Sequence, residues 1–87
     1  MYNYQNERPT LFTEEGMKMV LKIRDNVDRL LKEAGAVRSQ EAQRGVTGDG
    51  WTMLAALDYL VETRYLVEVT GKGVWGQHRV FVGPMSR

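Results

Sequence analysis

From Thr47 to Val69 the chain reads TGDGWTMLAALDYLVETRYLVEV, and its hydrophobic period changes once, with no linker between the two patterns. Met53, Leu57, Leu60 and Val61, with Leu54 beside them, recur at three and four residues, which is the spacing of one helix face. After Thr63 the spacing falls to two. Tyr65, Val67 and Val69 alternate with Leu66 and Glu68, as side chains do on a half-buried strand. A helix over residues 50–63 therefore runs directly into a strand over 65–70. A loop at 71–77 and a second strand at 78–82 complete a hairpin, with Val80 and Val82 on one face and Arg79 and Phe81 on the other. Gly83-Pro84 ends that strand.

The preceding residues supply what such a helix packs on. Thr13 is a good N-cap, and Glu14 and Glu15 follow it where the helix dipole favours negative charge. Val20, Ile23, Val27, Leu30, Leu31 and Ala34 then share one face of a first helix, and Gly35 supplies a left-handed stop. On the opposite face Glu14–Lys18, Asp25–Arg29 and Asp28–Lys32 have the acid-to-base i,i+4 spacing of ion pairs. Ser39 is positioned to cap a short second helix over 40–44, stopped by Gly45. Residues 1–12, MYNYQNERPTLF, read as an arm interrupted by a proline. The pattern divides the chain into an arm at 1–12, one domain at 13–83 and a tail at 84–87. The expected architecture is α+β: three helices followed by a two-stranded hairpin.

Composition excludes several classes. Eighty-seven residues, 43% hydrophobic and 26% charged, describe one ordered globular domain. No apolar run approaches the ~18–20 residues of a membrane span, and none opens the chain as a signal peptide does, so a cytoplasmic address is expected. The chain has no cysteine and a single histidine, with serines only at Ser39 and Ser86. Neither a hydrolytic triad nor a His/Cys metal site can be assembled from that inventory, and neither enzyme activity nor a metal or other cofactor is expected. A formal GxGxxG at residues 71–76 lies between strands instead of opening a helix, so it lacks the dipole that holds a pyrophosphate. Its glycines suit a bending loop.

Two features suit anionic ligands. GVTGDG places small residues, with the hydroxyls of Thr47 and Thr52, at a helix N-terminus whose free amides attract phosphate. The same stretch equally reads as a turn capped by Asp49. The hairpin loop and the strand entry after it combine Lys72, Trp75, Gln77, His78 and Arg79, and no acidic residue follows Val69. Trp75 either folds back on the core or serves an interface.

ALDYLVETRYLVEV, followed by a glycine-rich basic loop and HRVFV, resembles the winged helix-turn-helix superfamily, most closely its small phage and plasmid members. The resemblance spans residues 20–83. It implies double-stranded DNA as partner, with the third helix in the major groove and the wing at 70–79 on the backbone. Carried over, Trp51, Thr52, Ala55 and Tyr59 would face the groove. Arg44, Thr47, Gly48, Gly50, Lys72 and Arg79 would meet phosphates, and Trp75, Gln77 and His78 would sit in the wing. Two positions depart from the pattern. Arg64 stands where a glycine usually joins helix to strand, and Asp49, Asp58 and Glu62 bring negative charge to the helix. The expected function is a regulatory or replication-associated DNA-binding module; the alternative is a winged helix that contacts protein, or a second copy of itself, without binding DNA. At ~22 residues and 1.5 Å per residue the first helix would be ~33 Å long, longer than the core it covers. Leu11, Phe12, Met17, Met19 and Val20 are therefore expected at a homodimer interface, unless the arm folds over them within one chain.

Overall fold

The computed structural model describes residues 1–70 and 78–84. Expectations that rest on Lys72, Trp75, Gln77 and the GxGxxG stretch lie outside those residues. The elements run α1 (Tyr4–Glu7), a 3-10 helix (Arg8–Phe12), α2 (Glu14–Ala34), β1 (Ala36–Arg38), α3 (Ser39–Ala42), α4 (Gly50–Glu62), β2 (Val67–Glu68) and β3 (Val80–Val82). The α+β class holds.

The two long helices form where their caps and periodicity require. The Thr13 hydroxyl accepts the Gly16 amide at 3.0 Å, and Gly35 closes α2 with φ +76°. The Asp49 carboxylate accepts the Thr52 amide at 3.0 Å and starts α4. Ile23 and Val27 of α2 and Leu57 and Leu60 of α4 are all buried in one core, with Leu30 packed against it. The third helix ends one residue earlier than its pattern suggests. The second is Ser39–Ala42 and is led in by Arg38, which makes no side-chain cap; Ser39 itself is fully buried.

Three expectations need correction. The sheet has three antiparallel strands in the order β1-β3-β2, not two. Ala36–Arg38 pairs with β3, setting Val37 opposite Phe81, and both are buried. β2 pairs with the other side of β3. Second, of the two courses open to the arm it is the one within the chain that forms, not the dimer contact: the arm makes α1 and the 3-10 helix, and Leu11 belongs to the core. Third, none of the three i,i+4 pairs on α2 closes as an ion pair among the described residues. The Asp28 carboxylate instead accepts the Tyr65 hydroxyl, and Arg24 lies 5.9 Å from the Tyr65 ring centre.

The join between α4 and β2 explains how the chain manages without glycine there. The Tyr65 amide reaches back to the Leu60 carbonyl at 2.7 Å, and the Arg64 amide to Val61 at 3.0 Å. This pair of bonds is the Schellman stop, and it needs a left-handed residue at position 64. Arg64 takes that conformation with φ +65°. The glycine-type turn forms, and an arginine bears its strain.

Leu57→Ala should lower stability by about 2–5 kcal/mol, because it opens a cavity between α2 and α4; an unchanged denaturant midpoint would place the core elsewhere. Arg64→Gly should leave stability level or raise it by up to about 1 kcal/mol, whereas Arg64→Val should lower it by about 1–2 kcal/mol. Equal stabilities for those two variants would contradict a left-handed residue 64.

Candidate nucleic-acid interface

The N-terminus of α4 is presented by a turn that α2 holds in place. Asn26 Nδ2 donates to the carbonyls of Ala42 and Arg44, at 2.8 and 3.0 Å, and so fixes the end of α3 on α2. Gly48, with φ +134°, lets the turn pass close to Met19; a Cβ there would lie 2.4 Å from the methionine methyl. Between this turn and the start of α2 lies an open cleft of about 580 Å³. Thr13, Glu15, Lys18 and Lys22 form one wall, and Thr47, Gly48, Asp49 and Thr52 the other. Lys18, Lys22 and Arg44 are exposed, and their side chains make no hydrogen bond or ion pair among the described residues.

The structure thus brings together Thr47, Gly48 and Thr52 along the cleft, with Gly50 and Trp51 opening α4, while Arg44 is exposed on the segment before it. Trp51 is 44% exposed. Lys18, Lys22 and Asn26 were not singled out by sequence, because on a regular amphipathic helix they look like ordinary solvated positions.

Further along α4 the expectations change. Ala55 is fully buried and cannot face a groove. Tyr59 is half-buried beneath the arm, where the Phe12 ring meets it edge-on at 5.6 Å. Arg79 is not available to phosphate: its side chain is 12% exposed and bonds to two carboxylates. Its Nε donates to Glu68 at 2.9 Å, and Nη2 donates to Glu68 at 2.7 Å and to Asp58 at 2.5 Å. The guanidinium also lies 5.1 Å from the Phe81 ring centre. Its role is to tie the sheet to α4. His78, beside it, is exposed.

The residues expected between two copies are also placed otherwise. Leu11 and Val20 are buried in the core of a single chain, and Met17 and Met19 pack against that core. Only Phe12, 52% exposed, stays largely open. The first helix does not overhang the core, because the arm covers its first turns.

The arm sits on α4 by polar contacts. Tyr2 donates to Asp58, and Tyr4 donates to Glu62. Arg8 grips Glu62 through Nε and Nη2, at 2.9 and 2.8 Å. Burial first, and the carboxylate acceptor second, push the Tyr4 hydroxyl up to about 12. Burial and Asp58 push Tyr2 up as well. Arg8 and then Tyr4, as donors, pull Glu62 down from 4.5 to about 2. Arg79 likewise pulls Glu68 down.

Comparison with known proteins finds no matching family model, no matching curated protein and no matching solved structure. No described helix is long and apolar enough to cross a membrane. Among the described residues no group of His, Cys, Asp and Glu is placed to hold a metal ion.

A carboxyl whose folded pKa is depressed contributes its stabilisation above its unfolded value and loses it as pH falls through the folded value. For Glu62 that window runs from 4.5 down to about 2. Acidification across it should loosen the arm from α4, read as shifts of the Tyr4 and Phe12 ring resonances by NMR. The same titration in Glu62→Gln should lose that transition; its persistence would assign the change to another group.

Proposed function

We propose that this chain is a non-enzymatic winged-helix module that binds duplex DNA, in a regulatory or replication role, through the N-terminal end of α4. The observation that carries the reading is the cleft: Lys18 and Lys22 face Thr47, Gly48 and Thr52 across the start of α4, with Arg44 exposed nearby. A helix N-terminus with lysines beside it suits a phosphate, since free amides and the dipole favour negative charge there. Glu15 and Asp49 also line the cleft, but the Asp49 carboxylate is engaged by the Thr52 amide and hydroxyl. Helix α4 entering a strand pair through a Schellman turn supports the winged-helix resemblance. Contact is end-on: Trp51 and Thr52 approach the bases while Ala55 and Tyr59 do not.

One observation favours a second reading, a winged helix that contacts protein. Beyond its first turn the outward side of α4 carries Asp58 and Glu62, and Trp51, Val67 and Val69 are exposed. Since both carboxylates are paired within the chain, such a surface suits a partly apolar partner through Trp51, Val67 and Val69.

The two readings separate in a titration of labelled duplex at ~50 mM salt, followed by a salt series. DNA binding predicts a linear log–log fall with a slope near −0.9 per phosphate contact. Lys18→Ala, Lys22→Ala and Arg44→Ala should each weaken all duplex sequences alike and make the slope shallower by about one contact. Absence of binding at low salt, or binding indifferent to all three changes, would sink the DNA reading.

A further inference from the structure

The sheet ends in an edge strand with apolar side chains. Its order is β1-β3-β2, so β2 has a strand on one side only. Val67 stands opposite Val82, and the Val69 amide donates to the Val80 carbonyl at 2.9 Å. Residues 67 and 69 therefore turn their backbone groups to β3. By the alternation of an antiparallel ladder, the N–H and C=O of Glu68 between them point away from it. Among the described residues no backbone bond from outside the sheet meets Glu68. Val67 and Val69 share the outer face and are 44% and 56% exposed. Native edges are usually blunted by lysine, proline or a bulge, and Val67–Val69 carries none of these.

We propose that this edge joins a second copy of the chain, β2 antiparallel to β2 about a two-fold axis at Glu68. One operation satisfies both the polar and the apolar groups of the edge. Glu68 exchanges both backbone bonds with its own counterpart, and Val67 of each copy comes opposite Val69 of the other. The exposed valines thus cover each other. A foreign strand would have to bring apolar side chains at the same alternate positions, whereas a second copy has them by symmetry. The two Glu68 carboxylates also come opposite each other, which would oppose pairing if they were free. Each is already held within its own chain, because Arg79 Nε and Nη2 donate to its two oxygens at 2.9 and 2.7 Å. The inference concerns the free chain, stands apart from the DNA reading and uses no part of the arm.

The paired segment is short and buries well under the ~1,200 Å² of the smallest standard interfaces, so association is weak, with a Kd of about 100 μM to 1 mM. Sedimentation of the unaltered chain from ~20 μM to ~1 mM should show a weight-average mass that rises above that of one chain. Val67→Lys, at an exposed position, should hold the single-chain mass throughout. The register is tested by cross-linking, since the chain has no cysteine of its own. Val67 and the facing Val69 would form a non-hydrogen-bonded pair with Cα atoms ~4.5 Å apart, within the span of a disulfide. Val67 would lie ~7–8 Å from its own counterpart, beyond that span. Val67→Cys and Val69→Cys chains, mixed at ~500 μM with oxidised glutathione, should therefore link to each other at least about ten-fold faster than either links to itself.

A single-chain mass for the unaltered chain across the whole range overturns the inference and leaves the edge to a foreign strand or to the rest of the same chain. A dimer indifferent to Val67→Lys also overturns it, because it forms through another face. Linking in the mixture no faster than in either chain alone overturns it too, since the valines then meet only by collision. Every outcome is read without nucleic acid, so none of them bears on the DNA reading.

Discussion

Helix α4 is apolar on more sides than one neighbour can cover, and the rest of the fold answers that constraint. Met53, Ala55, Ala56, Leu57 and Leu60 are buried, while Leu54, Tyr59 and Val61 are half-buried. A helix of this kind cannot lie on a surface with one stripe inward and the rest in water. α2 takes one side with Val20, Ile23 and Val27, and the segment around Leu11 closes another. The arm is therefore a layer of the core. Gly16 follows from the same constraint, because only a residue without a side chain lets the arm cross α2 closely enough to reach α4.

Polar groups are arranged around this covered helix with similar economy. The carboxylates of α4 that remain at the surface each meet a donor from another part of the chain: Asp58 from Tyr2 and Arg79, and Glu62 from Tyr4 and Arg8. At the other end of the helix Lys18 and Lys22 line the cleft and make no hydrogen bond or ion pair among the described residues. The half of α4 that carries Asp58 and Glu62 is thus neutralised, while its N-terminal end opens onto the cleft. An exposed pair such as Arg8–Glu62 adds little stability in water.

Much of this arrangement is legible in the residues, and the parts that are not have physical reasons. Caps at Thr13, Gly35 and Asp49 act through local chemistry, so they read directly from the sequence and recur in the structure. The facing stripes of α2 and α4 are legible for the same reason. The strand Ala36–Arg38 is not: three residues after a glycine carry no alternation, and only pairing with β3 makes them a strand. The course of the arm is not legible, because proline and polar residues hide a single decisive side chain, Leu11, whose burial is a tertiary fact. Arg79 shows the limit for site residues. A basic residue at a hairpin looks free until the fold brings Asp58 and Glu68 to it. Ala55 errs in the other direction, since position on a helix says which side a residue is on but not what lies over it.

Asp58 joins parts of the chain that are far apart in sequence, holding Tyr2 across 56 positions and Arg79 across 21. The first contact brings the arm onto α4, and the second ties the residue before β3 to the same helix. A contact of such long range adds nothing to an early, locally formed nucleus, since the entropy of closing the loop comes due before the bond is made. Once formed, however, it must break before either end can leave. Contacts of this kind slow unfolding more than they speed folding.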